Sequence, residues 1–137
     1  MLNLPSTGTY GVVVRPSAFA TGSMNVALSS DFAATLTADG SPLALNSDRP
    51  GRNARLAFAG LAGQLLRVSW SGVTAFAGYA TLVVNSPNGT ELGRGTVLSN
   101  GTGTYDIPAL PASGNYSLFI DPPLAATLNA TVRIFPR

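Results

Sequence analysis

Apolar and polar residues alternate along most of this chain in short runs, each bounded by Gly, Pro, Asn, Asp or Ser. A period of two puts successive side chains on opposite faces of an extended strand. Near the start, Tyr10, Val12 and Val14 fall on one face and Gly11, Val13 and Arg15 on the other. After a connection over 16–22, Met24, Val26 and Leu28 continue an inward row. This predicts a hairpin arm over residues 1–28. A two-stranded hairpin is marginal in water, so the arm is expected to pack on something. Phe32, Ala34 and Leu36 then alternate with Ala33, Thr35 and Thr37, a turn follows at Asp39-Gly40-Ser41-Pro42, and Leu43 and Leu45 mark a second strand. Residues 46–53 read as a polar loop with Pro50-Gly51 at its tip.

Further strands are predicted at 55–58 and 65–70, where Leu66, Val68 and Trp70 share a face, with 71–78 as a loop. Residues 80–85 form the most apolar run, and Ser86-Pro87-Asn88-Gly89 is a β-turn signal, because Pro presets φ and Asn-Gly suits the following positions. Two short strands at 90–92 and 96–98, a turn at 100–103 and a strand at 105–107 come next. Tyr116, Leu118 and Ile120 then face inward, Pro122-Pro123 breaks the strand, and Leu128, Ala130, Val132 and Ile134 form the last inward row. About nine or ten short strands at roughly 8–12-residue spacing, with no helical stretch, predict an all-β antiparallel sandwich of the jelly-roll or immunoglobulin-like class.

One segment occurs twice. Leu110-Pro111-Ala112-Ser113-Gly114-Asn115-Tyr116 is matched, 106 positions earlier and without a gap, by Leu4-Pro5-Ser6-Thr7-Gly8-Thr9-Tyr10. The register carries on through Pro122 and Pro16 and through the parity of the apolar rows. The chain therefore divides into a module over 29–137 and a leading piece, 1–28, that repeats the module's last hairpin. Exposed strand edges pair with other chains unless they are blocked. Two fates are open for the arm: folding onto its own sandwich, or exchange between chains through Tyr10, Val12, Val14, Met24, Val26 and Leu28, the counterparts of the row that holds Tyr116, Leu118 and Ile120.

Composition narrows the chemistry. Charged residues are 10% of the 137, and all eight cations are Arg, scattered with no basic stripe, so nucleic acid is not an expected partner. No apolar run approaches the roughly 20 residues of a membrane span. The first residues lack a charged region followed by an apolar core, so no signal peptide is expected there. A Ser/Thr/Asn-rich surface without Lys, on repeated β modules, points to an exported bacterial protein, extracellular or at the cell surface.

The pieces Arg55-Leu56-Ala57-Phe58 with Gly63-Gln64, Val84 through Pro87-Asn88-Gly89-Thr90, and Pro111 through Gly114-Asn115-Tyr116 to Ile120 resemble a bacterial pre-peptidase C-terminal (PPC) module. This is a β-sandwich appended to secreted enzymes and surface proteins. The resemblance covers residues 29–137 and implies a non-catalytic unit acting in secretion, stability, adhesion or substrate contact. The family pattern often has acidic residues before the first of these strands, where this chain has Arg49, Arg52 and Asn53.

With no His, Cys or Lys, the chain lacks an imidazole base, a thiol, a Schiff-base amine and the usual transition-metal ligands, so no catalytic residues are assigned and no enzyme is expected. No cofactor is expected. Calcium takes clustered oxygen ligands, and Asp39, Asn46 and Asp48 are its local candidates. The aromatic cluster Trp70, Phe76 and Tyr79 is the candidate ligand platform, although the parity of Trp70 with Leu66 and Val68 is that of a core residue. The leading expectation is a structural, assembling module whose partners are neighbouring modules or other copies. The alternative is a carbohydrate-binding or adhesive module that uses the loop aromatics.

Overall fold

The structure is a computed structural model that describes residues 6–17, 21–26, 28–74, 78–99, 101–123 and 126–137. Among these residues there are nine strands and no helix. They are β1 (Phe32–Thr35), β2 (Leu43–Asn46), β3 (Ala54–Gly60), β4 (Leu66–Thr74), β5 (Tyr79–Asn85), β6 (Glu91–Leu98), β7 (Gly103–Asp106), β8 (Gly114–Asp121) and β9 (Asn129–Pro136). A five-stranded sheet runs β1-β3-β8-β5-β6 and a four-stranded sheet runs β2-β9-β4-β7. Every pairing is antiparallel except β1 with β3. The chain is an all-β sandwich.

The alternation seen in the sequence supplies the core. Leu56 and Phe58 of β3, Leu82 and Val84 of β5, and Tyr116, Leu118 and Ile120 of β8 are buried from one sheet. Leu66, Val68 and Trp70 of β4 and Val132 and Ile134 of β9 are buried from the other. Phe58 and Tyr116 are register partners, and their rings stack with centroids 5.4 Å apart. The turn expected at 86–89 is present: the Gly89 N–H donates to Ser86 O at 2.9 Å, and Gly89 has a positive φ.

Four expectations are corrected. The segment after Leu110 is not a hairpin. β8 and β9 lie in different sheets and share no ladder, so the chain crosses the sandwich after Pro122 as an arch. Period-two patterning gives the inward faces of two strands but says nothing about whether those strands pair. The strands predicted at 90–92 and 96–98 are one strand. Gly93 and Gly95, between the two predicted strands, lie under the Tyr105 ring of the other sheet, and a Cβ on Gly95 would stand 2.7 Å from Tyr105 Cδ2. β4 runs on into the predicted 71–78 loop as far as Thr74, past a bulge where Gly72 has positive φ, and buries Val73.

The fourth correction concerns the arm. None of the described residues in 1–28 is in a strand or in either sheet, so no described residue of the arm adds an edge strand to its own sandwich. Its counterpart explains this: an arch has no ladder of its own, and each of its strands needs partners from elsewhere.

Candidate functional site

The arm presents an apolar row to solvent. Val12, Val26 and Leu28 are 78%, 67% and 94% exposed, and Tyr10, Val14 and Met24 are exposed as well. Their counterparts Leu118, Val132, Ile134, Tyr116, Ile120 and Ala130 are all buried in the sandwich. The same residue classes in the same register are therefore core in one copy and surface in the other.

The two copies also share a local bonding pattern. The Tyr116 hydroxyl donates to Ala112 O at 2.6 Å and accepts from the Ala112 N–H at 3.3 Å. The Tyr10 hydroxyl donates to Ser6 O at 2.5 Å and accepts from the Ser6 N–H at 3.2 Å. This is the fold-back of a Tyr hydroxyl onto the chain just upstream that β-sandwiches use at a strand entry. In the arm it forms without a sandwich around it. Val14, Pro16, Met24 and Val26 line a common cleft of about 420 Å³ that also takes in Thr21 and Ser23. Sequence reasoning named the row but missed the hydroxyl bonds; the shared Leu-Pro-x-x-Gly-x-Tyr spacing was the signal available.

The other candidates are dispersed. Trp70 is 7% exposed and sits against Gly103, where a Cβ would lie 2.5 Å from Trp70 Cζ2, so its ring belongs to the core and is not offered to a ligand. Tyr79, at the start of β5, is 58% exposed, while Phe76 lies outside the described residues. Asp39 accepts the Ser41 N–H at 2.8 Å, and that bond lowers its carboxyl below the usual range. Asp48 is paired with Arg52 at 2.9 Å, and Asn46 is the last residue of β2, opposite Asn129. Among the described residues no three His, Cys, Asp or Glu side chains come together as a metal site would need.

Two arrangements were not foreseen. Asp106 on β7 takes Arg67 Nε at 2.5 Å, Arg67 Nη2 at 3.0 Å and Arg137 Nη1 at 2.9 Å. These bonds, Arg67 first, hold its carboxyl at about 2. On the outer face of the five-stranded sheet a groove of about 410 Å³ is lined by Arg55, Val83, Asn85, Glu91, Ser117 and Phe119. The Arg55 guanidinium lies 5.1 Å from the Phe119 ring centre, and Arg94 pairs with Glu91 at 2.7 Å. Both arrangements depend on neighbours across a sheet, which local spacing does not report.

No family model matches the chain, and no curated protein matches it. Among solved structures, the periplasmic inhibitor of g-type lysozyme PliG from Aeromonas hydrophila is 21% identical, with a TM-score of 0.49, over 76% of this chain and 98% of that one. The pre-peptidase C-terminal domain of a collagenase from Bacillus anthracis is 12% identical, with a TM-score of 0.52, over 76% of this chain and 95% of that one. At that identity the likeness to the collagenase domain is one of fold: this chain carries the same kind of two-sheet sandwich.

Proposed function

We propose that the chain is a non-catalytic structural module of an exported bacterial repeat protein, and that residues 1–28 join it to its neighbours by strand pairing. The carrying observation is the row Tyr10, Val12, Val14, Met24, Val26 and Leu28, which is exposed here although its counterparts form core. Burying a Val, Leu or Met side chain contributes about 1.5–3 kcal/mol, so covering this row would support a stable joint. The sandwich fold supports the reading too, because in the collagenase it serves as one domain of a larger protein. The absence of His, Cys and Lys leaves few means for catalysis. The same composition and fold support an extracellular or surface location.

Light scattering on 1–137 and on a chain lacking residues 1–28 tests this. The full chain is expected to gain mass with concentration while the shortened chain stays monomeric. Two monomers of unchanging mass would sink the reading.

A second reading, glycan binding, draws on the outer groove, where the Phe119 ring lies beside carboxylate, amide and guanidinium groups. Aromatic faces with convergent polar groups suit sugars. The expected result is a glycan-array signal that Phe119→Ala removes and Tyr79→Ala retains. An array without signal would discard it.

A further inference from the structure

We propose that residues 4–28 are a donor arch, which completes an open sandwich of this same fold by supplying one central strand to each of its sheets. This rests on the strand-pairing reading above and names the partner: a sandwich without its last two strands.

The place of the counterpart segment decides the geometry. β8 is flanked by β3 and β5, and β9 by β2 and β4, so both flanks of both strands are hydrogen-bonded. A partner that merely offered a sheet edge would satisfy one flank of one strand and leave the second apolar row in water. The edges of this sandwich are also poor templates. β1, β2 and β7 have four residues each, and β6 carries the Glu91–Arg94 pair next to a register shift against β5. In a second copy the matching slot is filled by β8 and β9, so the arch enters it only by taking their place, an exchange that higher concentration favours.

The arm is shaped for a slot between two sheets. Val14 on its first limb and Met24 and Val26 on its second line one cleft, as the counterparts Ile120, Ala130 and Val132 share one core. The Tyr10 hydroxyl bonds set the entry to the first limb as those of Tyr116 do for β8. Thr7 stands in register with Ser113, whose hydroxyl accepts the Ala62 N–H at 3.0 Å from the turn between β3 and β4. The corresponding turn of the partner would meet Thr7.

The gapless register makes the test direct. In one full-length variant residues 110–134 are replaced by a copy of 4–28, with Leu128 retained to avoid a cavity at Gly22. In a second, only 110–122 is replaced, by 4–16. Both are followed by urea unfolding and Trp70 emission. The expected result is cooperative unfolding of both with the emission of the wild type. Their midpoints should be lower, since Leu118→Val and Ile120→Val each remove a buried methylene. Failure of both to fold overturns the proposal. Folding of the second alone overturns the two-sheet claim, because the arm then serves as one strand only. Arm-dependent association in light scattering together with unfolded grafts would keep the joining role and discard the donor arch. A full chain that stays monomeric overturns the joining role and the donor arch with it, whatever the grafts do.

Discussion

Tyr116 and Tyr10 make the same pair of backbone hydrogen bonds in opposite surroundings, one inside the sandwich and one in water. A hydrogen bond contributes about 0.5–1.5 kcal/mol net, and more is lost when a partly buried partner is left unsatisfied. Tyr116→Phe is therefore expected to lower stability by about 1–2 kcal/mol in urea titration, while Tyr10→Phe leaves the midpoint unchanged. Equal losses would show that the arm is part of the folded core. Glycine illustrates the opposite limit of residue-level reasoning. Gly93 and Gly95 lie in the gap left between the strands predicted at 90–92 and 96–98, yet they continue one strand, with Tyr105 from the facing sheet in the space of their missing side chains. Gly89 acts where it was expected to, in a local turn.

Strand β7 shows what holds an element that burial alone holds poorly. It is four residues long, lies at an edge and pairs only with β4. Its Asp106 bonds Arg67 on β4 and Arg137 just beyond β9, tying the edge to two strands. With the carboxyl lowered from 3.8 to about 2, its contribution to stability is complete above pH 3.8 and is lost as pH falls through about 2. Asp106→Asn should be less stable than the wild type at pH 5, with the difference closing as pH approaches 2. Urea midpoints across this range check it, and a difference independent of pH would mean that the ion pairs do not set it. At the same scale, β8 and β9, the counterparts of the arm's two limbs, pair with other strands and not with each other.

Over the whole molecule, the sandwich is complete without residues 1–28. Among the described residues, its two sheets, its core and its turns are formed by residues after Ser30, and no described residue of the arm adds a strand to them. Removing the arm is therefore expected to leave the melting temperature within about 2 °C, well under the roughly 4 °C per kcal/mol of a domain this size. Calorimetry on the two chains decides the point, and a fall of 5–10 °C would place the arm inside the cooperative unit. Taken with the mass measurements, an unchanged melt and a changed mass separate stability from joining, which is the separation a connecting segment requires.

By itself the sequence determined the all-β class, nearly all strand positions, the inward rows, the turn at 86–89 and the repetition of the last segment at the start. These follow from period two, from turn chemistry and from register, all of which are local or self-referential. Only the tertiary structure decided which sheet each strand joins, that β8 and β9 span the sandwich as an arch, that Trp70 is walled in by Gly103, and that Asp106 gathers two arginines. Those depend on pairings between residues tens of positions apart, whose energies lie in cross-sheet packing and leave no mark in neighbouring residues. The arm shows both limits at once: its apolar row was legible in the chain, and that the strands it repeats lie in different sheets came only from the fold.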